Sequence, residues 1–520
     1  MRLRLLAVVA VSAALLGACG DQENTQKAED AVAGITGGAK APARGANAEW
    51  LLTQAQQAAN QGRDADARAA FDRAVQVFQA NGDHGGVGRV LLALATHTRT
   101  TGQGEAARGI YARARAAFEQ VDDRTGVARV IFAVAELERA RFNNDAALTG
   151  FEEAAGIFRA HQLWREEAQA LLGVADSDRR LGRVTSADAV LARAHAIFEI
   201  LEDREGMQAS ERARTELVNY VDDNDRERLR LAENINYADQ GGNRLLEALG
   251  HLGLGQLEAL AGRPTQARRA LSEARLVFAT MKLPHGEFDA WAVTGDLERR
   301  LGNASAAVDA YTRALVAFAR AQDVQSHEAT KYEEGAAIPL PQRGAIVMAR
   351  LSQFDPEEAA AVRLAGAREM ASDASAAAKG AVLVAEGWLA RRRGAGAEAA
   401  ASFDAATRTF VAAGLHGAAG ESLLAQAALV AQSNALLEAA NLYEQALGEF
   451  ATARDRLGEA EAQFGSAGAL AAIGDSPMEA QIRYRIAARL YAESEQRGRA
   501  EGAAAAARTL RAAEPGRANR

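Results

Sequence analysis

The sequence predicts an all-α chain, a superhelical solenoid of helix-turn-helix units, and three observations predict it. The first is a forty-residue period. Gly62, Ala67, Phe71, Ala74 and Phe78 recur as Gly102, Ala107, Tyr111, Ala114 and Phe118. They recur again as Phe142, Ala147, Phe151, Ala154 and Phe158, then as Gly182, Ala187, Leu191, Ala194 and Phe198. A fixed period in this range marks stacked supersecondary units. The second is spacing inside the period: counted from the glycine, the marked residues step by four, three and four, which sets them on one helix face. The third is a companion stripe upstream. Large residues (Leu51, Leu91, Ile131, Leu171, Trp291, Leu383) precede small ones (Ala55, Ala95, Ala135, Ala175, Gly295, Gly387) by four positions. Each unit therefore reads as helix A, a glycine turn, then helix B.

Taken in order, the chain opens with a segment unlike the rest. Arg2 and Arg4 precede an apolar run from Leu5 to Leu16 that is too short to span a bilayer and suits a signal-peptide core. Leu16-Gly17-Ala18-Cys19 resembles the bacterial lipobox, in which the cysteine is lipidated. Cys19 is the only cysteine of 520 residues, so it has no partner for a disulfide. The expectation is a lipoprotein signal peptide over residues 1–18 and a polar, lipid-anchored tether over 19–47. Such a chain would sit in the bacterial periplasm, held to the inner or outer membrane through Cys19 alone.

The array follows over residues 48–332. Its phase survives one blurred period at 203–243, crowded with charge, and resumes with Gly262, Ala267, Leu271, Ala274 and Phe278. Residues 333–344 carry Glu333-Glu334-Gly335 and Ile338-Pro339-Leu340-Pro341, an insertion that shifts the phase and reads as a hinge or as a docking loop. A second array with a capping helix is expected over 345–513, marked by Gly394, Ala399, Phe403, Ala406 and Phe410 and its forty-residue repeat. Pro264 and Pro477 fall where a first helical turn is expected, as does Pro356 in Asp355-Pro356-Glu357-Glu358. Residues 514–520 read as a disordered tail.

The large–small pair, the glycine turn and the Ala–aromatic–Ala run resemble the tetratricopeptide repeat family. The common repeat of that family has about 34 residues, and the six extra residues here are expected between helix B and the next helix A. Acid–base pairs stand there: Asp123-Arg124, Asp203-Arg204 and Asp455-Arg456. The resemblance implies that helix A lines the inner surface and that ligands lie along it. Carried over position by position, that inner surface would show Phe132, Glu136, Arg139, Asp176 and Arg179 early in the chain. Asp296, Arg299, Trp388 and Arg391 would follow later. Arginine forks suit carboxylates. The alternative is that each acid pairs with the arginine three residues on, as helix neighbours commonly do.

Catalytic signatures are missing from the sequence. It contains no Walker phosphate loop, HExxH, GxSxG or paired CxxC. Gly102-Gln103-Gly104 and Gly394-Ala395-Gly396 stand at expected helix–helix turns, not after strands. The eight histidines lack metal-ligand spacing. Asp223-Asn224-Asp225 with Glu227 lacks the glycine that a calcium loop needs. No catalytic residue, metal or cofactor is therefore expected. The formal net charge is −8, more negative once Arg2 and Arg4 leave with the signal, and this disfavours nucleic acid.

The function expected is a non-enzymatic scaffold or adaptor that binds a protein or peptide of the bacterial cell envelope. Envelope assembly, secretion and polysaccharide export are processes served by lipoproteins of similar build. A glycan-binding or glycan-processing protein is the rival, against which only 5% of residues are aromatic. A purely structural spacer is the third reading.

Overall fold

The computed structural model describes residues 44–217, 223–324, 326–371 and 375–512. The expected signal peptide, Cys19, nearly all of the tether and the tail lie outside the described residues. Every described element is an α-helix, twenty-four in all, and no strand occurs among the described residues. The chain divides into two compact units, Met1–Tyr220 and Val221–Arg520.

The first unit holds α1 (Arg44–Asn60), α2 (Asp64–Ala80), α3 (His84–Thr100), α4 (Gly104–Glu119), α5 (Arg124–Ala140), α6 (Asn144–Ala160), α7 (Trp164–Arg180), α8 (Val184–Ile200) and α9 (Arg204–Leu217). Odd-numbered helices are helices A and even-numbered ones helices B. The second unit continues with α10 (Asp223–Gln240), α11 (Arg244–Leu260), α12 (Pro264–Thr280), α13 (Pro284–Arg300), α14 (Ala304–Gln322), α15 (His327–Gly335) and α16 (Leu340–Ser352). Then come α17 (Glu357–Met370), α18 (Ala376–Arg392), α19 (Gly396–Ala412), α20 (His416–Gln432), α21 (Leu436–Ala453), α22 (Arg456–Ile473), α23 (Pro477–Glu493) and α24 (Arg497–Ala512). In both units each helix packs chiefly on the next and next-but-one in sequence, the pattern of a stacked array.

The repeat residues form the core. Ala67, Phe71, Ala74 and Phe78 are buried, as are Ala147, Phe151, Ala154 and Phe158, and Ala267, Leu271, Ala274 and Phe278. The small residue of helix A meets the bulky residue of the following helix B. A Cβ on Gly295 would lie 2.5 Å from the Tyr311 ring, and one on Gly387 2.6 Å from Phe403. Both contacts are shorter than van der Waals separation, so a side chain there would push the helices apart.

The forty-residue period resolves into two nearly equal halves. Helices A and B each run about seventeen residues, with three-residue turns both within and between repeats. The expected placement of the six extra residues is therefore corrected: they lengthen the helices, and the connector after helix B is as short as the glycine turn before it. The two turns share one hydrogen-bond pattern. Gln103 N donates to Thr98 O at 3.1 Å and Asp83 N to Phe78 O at 3.0 Å, the bond that closes a helix through a left-handed residue. That residue is Gly102 within one repeat, yet Asp122, Gln162 or Lys282 between others, all with φ above +50°.

The acid–base pairs of the connector are helix starts. Asp123 accepts from Gly126 N at 2.8 Å, Asp203 from Gly206 N at 3.0 Å and Asp455 from Gly458 N at 3.0 Å, which satisfies a free amide of the first turn. Pro264 and Pro477 stand in first turns, and Pro356 occupies the N-cap of α17.

Residues 333–344 lie inside the second unit. They finish α15 and open α16, with Pro339 at the N-cap and Pro341 in the first turn. Both helices are pinned to α13 through Asp289, which accepts from Tyr332 Oη at 2.6 Å and pairs with Arg343. Leu340 is buried against Phe288, Tyr311 and Val347, so it offers nothing to a docking partner. The boundary between the units falls instead at Tyr220 and Val221, within the charge-rich period.

Candidate partner-binding face

Helix A presents one side to helix B, and its other side carries the polar ladder expected from the sequence. In the first unit that ladder links α5, α7 and α9. Arg139 donates to Glu136 on its own helix at 2.8 Å and to Asp176 on α7 at 3.3 Å. Asp176 also accepts from Arg179 at 2.5 Å and from Arg180 at 3.0 Å. Arg179 lies 3.9 Å from Glu216 of α9. The pairing within each helix and the linkage across repeats thus coexist, and three helices A are tied through carboxylates.

The electrostatics follow from this arrangement. Burial would raise the Asp176 carboxyl, but the hydrogen bond from Arg179 and the charges of Arg180 and Arg139 hold it below its ordinary value. Arg139, Arg179 and Arg180 surround Asp176 with Glu136 and Glu216 beside them, so three guanidinium groups meet three carboxylates on this face. Arg139 Nε is buried without a hydrogen-bond partner among the described residues, as is Arg99 Nε one repeat earlier. Beside the ladder, Phe132 packs edge-on against Phe151 with centroids 5.4 Å apart. Phe142, 77% exposed at a turn with φ of 63°, has the Arg180 guanidinium 5.9 Å from its ring.

The second unit uses the same positions differently. Asp296 accepts from Tyr311 Oη at 2.6 Å and pairs with Arg350 of α16. Arg299 Nη2 reaches both Glu421 oxygens on α20, at 3.0 and 2.8 Å, and Arg300 pairs with Asp455 ahead of α22. At the neighbouring turns Thr265 donates to Glu495 at 2.5 Å. Trp388 lies edge-on to Phe403, centroids 5.5 Å apart, and carries the Arg391 guanidinium 5.0 Å above its ring.

The structure therefore gathers Phe132, Glu136, Arg139, Asp176 and Arg179 into one face. It ties Asp296 and Arg299 to other helices of the second unit, and sets Trp388 and Arg391 apart as a stacked pair. Sequence reasoning missed Glu421 and Glu495, and read Asp455 only as half of a connector pair. Their partners stand more than a hundred residues away, beyond the reach of any local spacing.

Chemistry on these faces is ionic and apolar. Among the described residues no group of three or more His, Cys, Asp or Glu side chains could hold a metal ion. Asp225 lies within α10 and pairs with Arg228, so the calcium-loop spacing falls on a helix. No helix among the described residues is long and apolar enough to cross a membrane.

No protein-family model and no curated protein matches the chain. Solved structures that match the chain include the Cut9–Hcn1 hetero-tetramer of APC/C. That match has 12% identity and a TM-score of 0.35, and covers 87% of this chain and 96% of that one. The P58(IPK) TPR domain matches at 14% identity and TM-score 0.26, covering 83% and 99%. Yeast Tom70 matches at 14% and 0.27, covering 82% and 97%.

Proposed function

We propose that the protein is a scaffold that holds a protein or peptide segment on the helix-A face of its first unit. The single observation that supports this most is the linked ladder of Glu136, Arg139, Asp176, Arg179 and Arg180. These side chains span two repeats and reach a third through Glu216, remain partly exposed, and lie beside Phe132. A surface that repeats one chemistry at a fixed rise suits an extended ligand better than a compact substrate. In this reading Cys19 carries the lipid, the tether sets the array off a bacterial membrane, and the segment belongs to an envelope protein.

The test is capture from envelope extract by the tethered chain. Arg139→Glu with Arg179→Glu places carboxylates where the ladder has guanidinium groups, so the partner retained by the parent should be lost. Helical content by circular dichroism should stay unchanged. Retention of the same partner by the folded double variant would refute the assignment.

A further inference from the structure

We propose that the ionic contacts across the second unit form a clasp that holds its helix-A face shut, so that a chain segment enters this unit only when the clasp opens. Three contacts join helices far apart in sequence. Arg299 of α13 holds Glu421 of α20, Arg300 holds Asp455 and lies 3.7 Å from Glu421, and Thr265 of α12 holds Glu495 at the turn into α24. The turn before α12 approaches closely as well: a Cβ on Gly262 would fall 2.5 Å from Ser494 Oγ.

The character of these contacts differs from that of the stack. Neighbouring helices are joined by broad apolar clusters, such as that of Phe288, Tyr311, Leu340 and Val347 or that of Leu423, Ala446, Phe450 and Ala462. The contacts named across the unit are charged or hydroxylic. Breaking the stack exposes apolar surface, whereas opening the clasp returns charges to water. For ion pairs the desolvation cost and the Coulomb gain nearly cancel, so opening costs far less than unstacking.

The side chains that occupy Arg299 and Arg300 are carboxylates. A segment bearing carboxylates at matching positions can therefore exchange with Glu421 and Asp455 at little net electrostatic cost. Glu421 stays ionised in this setting: burial raises its carboxyl, but Arg299 and Arg300 outweigh burial and hold it below its ordinary value. Its side chain is 32% exposed and that of Arg299 19%, so water and salt reach this pair first, while Arg300 and Asp455 are 13% and 3% exposed. Entry of a segment rests on the scaffold reading, but the clasp itself does not, and it can be measured with no partner present.

The experiment uses the full chain with Cys19→Ser and spin labels at Gln266→Cys and Gly498→Cys. Gln266 is exposed, and a Cβ on Gly498 meets nothing within 4 Å. Pulsed electron-spin distances should form one short, narrow distribution at about 0.15 M salt and gain a longer population at about 1 M, where the screening length falls to about 3 Å. Replacing Arg299, Arg300 and Glu421 together by Gln should lengthen the distribution at low salt, while Arg299→Glu with Glu421→Arg restores the short distance. A parent distribution unmoved by salt, with a triple variant that keeps its helical content and the short distance, would overturn the clasp. If the triple variant does not fold, the salt comparison decides alone.

Discussion

One glycine at the start of helix A sets how closely successive repeats approach. A Cβ on Gly126 would sit 2.3 Å from the Phe118 ring, and one on Gly206 2.2 Å from Phe198. These rings close the preceding helix B and are buried, so they cannot turn aside. Gly126→Ala should therefore destabilise the fold by about 1–3 kcal/mol, the usual cost of overpacking, read as a lower urea midpoint. Asp176 makes the complementary case for charge. Its folded-state carboxyl titrates below the ordinary value of 3.8, so it contributes stability above that value and loses it as pH falls through the depressed one. Asp176→Asn should cost about 1–2 kcal/mol near neutral pH, where three arginines lose their carboxylate. The gap to the parent should close as pH drops below 4, followed by thermal melts across pH. A gap that persists at low pH would contradict this role for the ladder.

At the scale of the element, the helix faces were legible in the sequence because burial and spacing obey the same periodicity. Ala147, Phe151, Ala154 and Phe158 are buried in the order their spacing implies. The connector was misjudged for a physical reason. Only glycine announces a left-handed turn in a sequence, and the turns between repeats place Asp122, Gln162 or Lys282 in that conformation, which other residues adopt at a cost. The pattern Asp-x-x-Gly at Asp83, Asp123, Asp203 and Asp455 was a readable sign of four turns between repeats, whereas Gln162 and Lys282 are followed by Leu163 and Leu283. It combines an N-cap with a glycine that receives the preceding aromatic ring. Within-helix pairs such as Glu136 with Arg139 were likewise readable, whereas Arg139 with Asp176 needs the repeat rise, and Arg299 with Glu421 needs the fold itself.

At the scale of the molecule, the two units treat equivalent positions in different ways. The first leaves its ladder partly exposed, with Arg139, Arg179 and Arg180 sharing Asp176 between Glu136 and Glu216. The second turns Arg299 and Arg300 onto its own Glu421 and Asp455. In the proposed reading, the first unit offers its face to a partner and the second closes its own with its charges. Site-specific photocrosslinking tests this most directly, with the crosslinking residue placed at Glu136 or Leu172 on helices A of the first unit, or at Glu153 on the exposed side of α6. If the ladder holds the partner, Glu136 and Leu172 capture the same protein while Glu153 captures none. Crosslinks from Glu153 alone, with both helix-A positions silent, would contradict it.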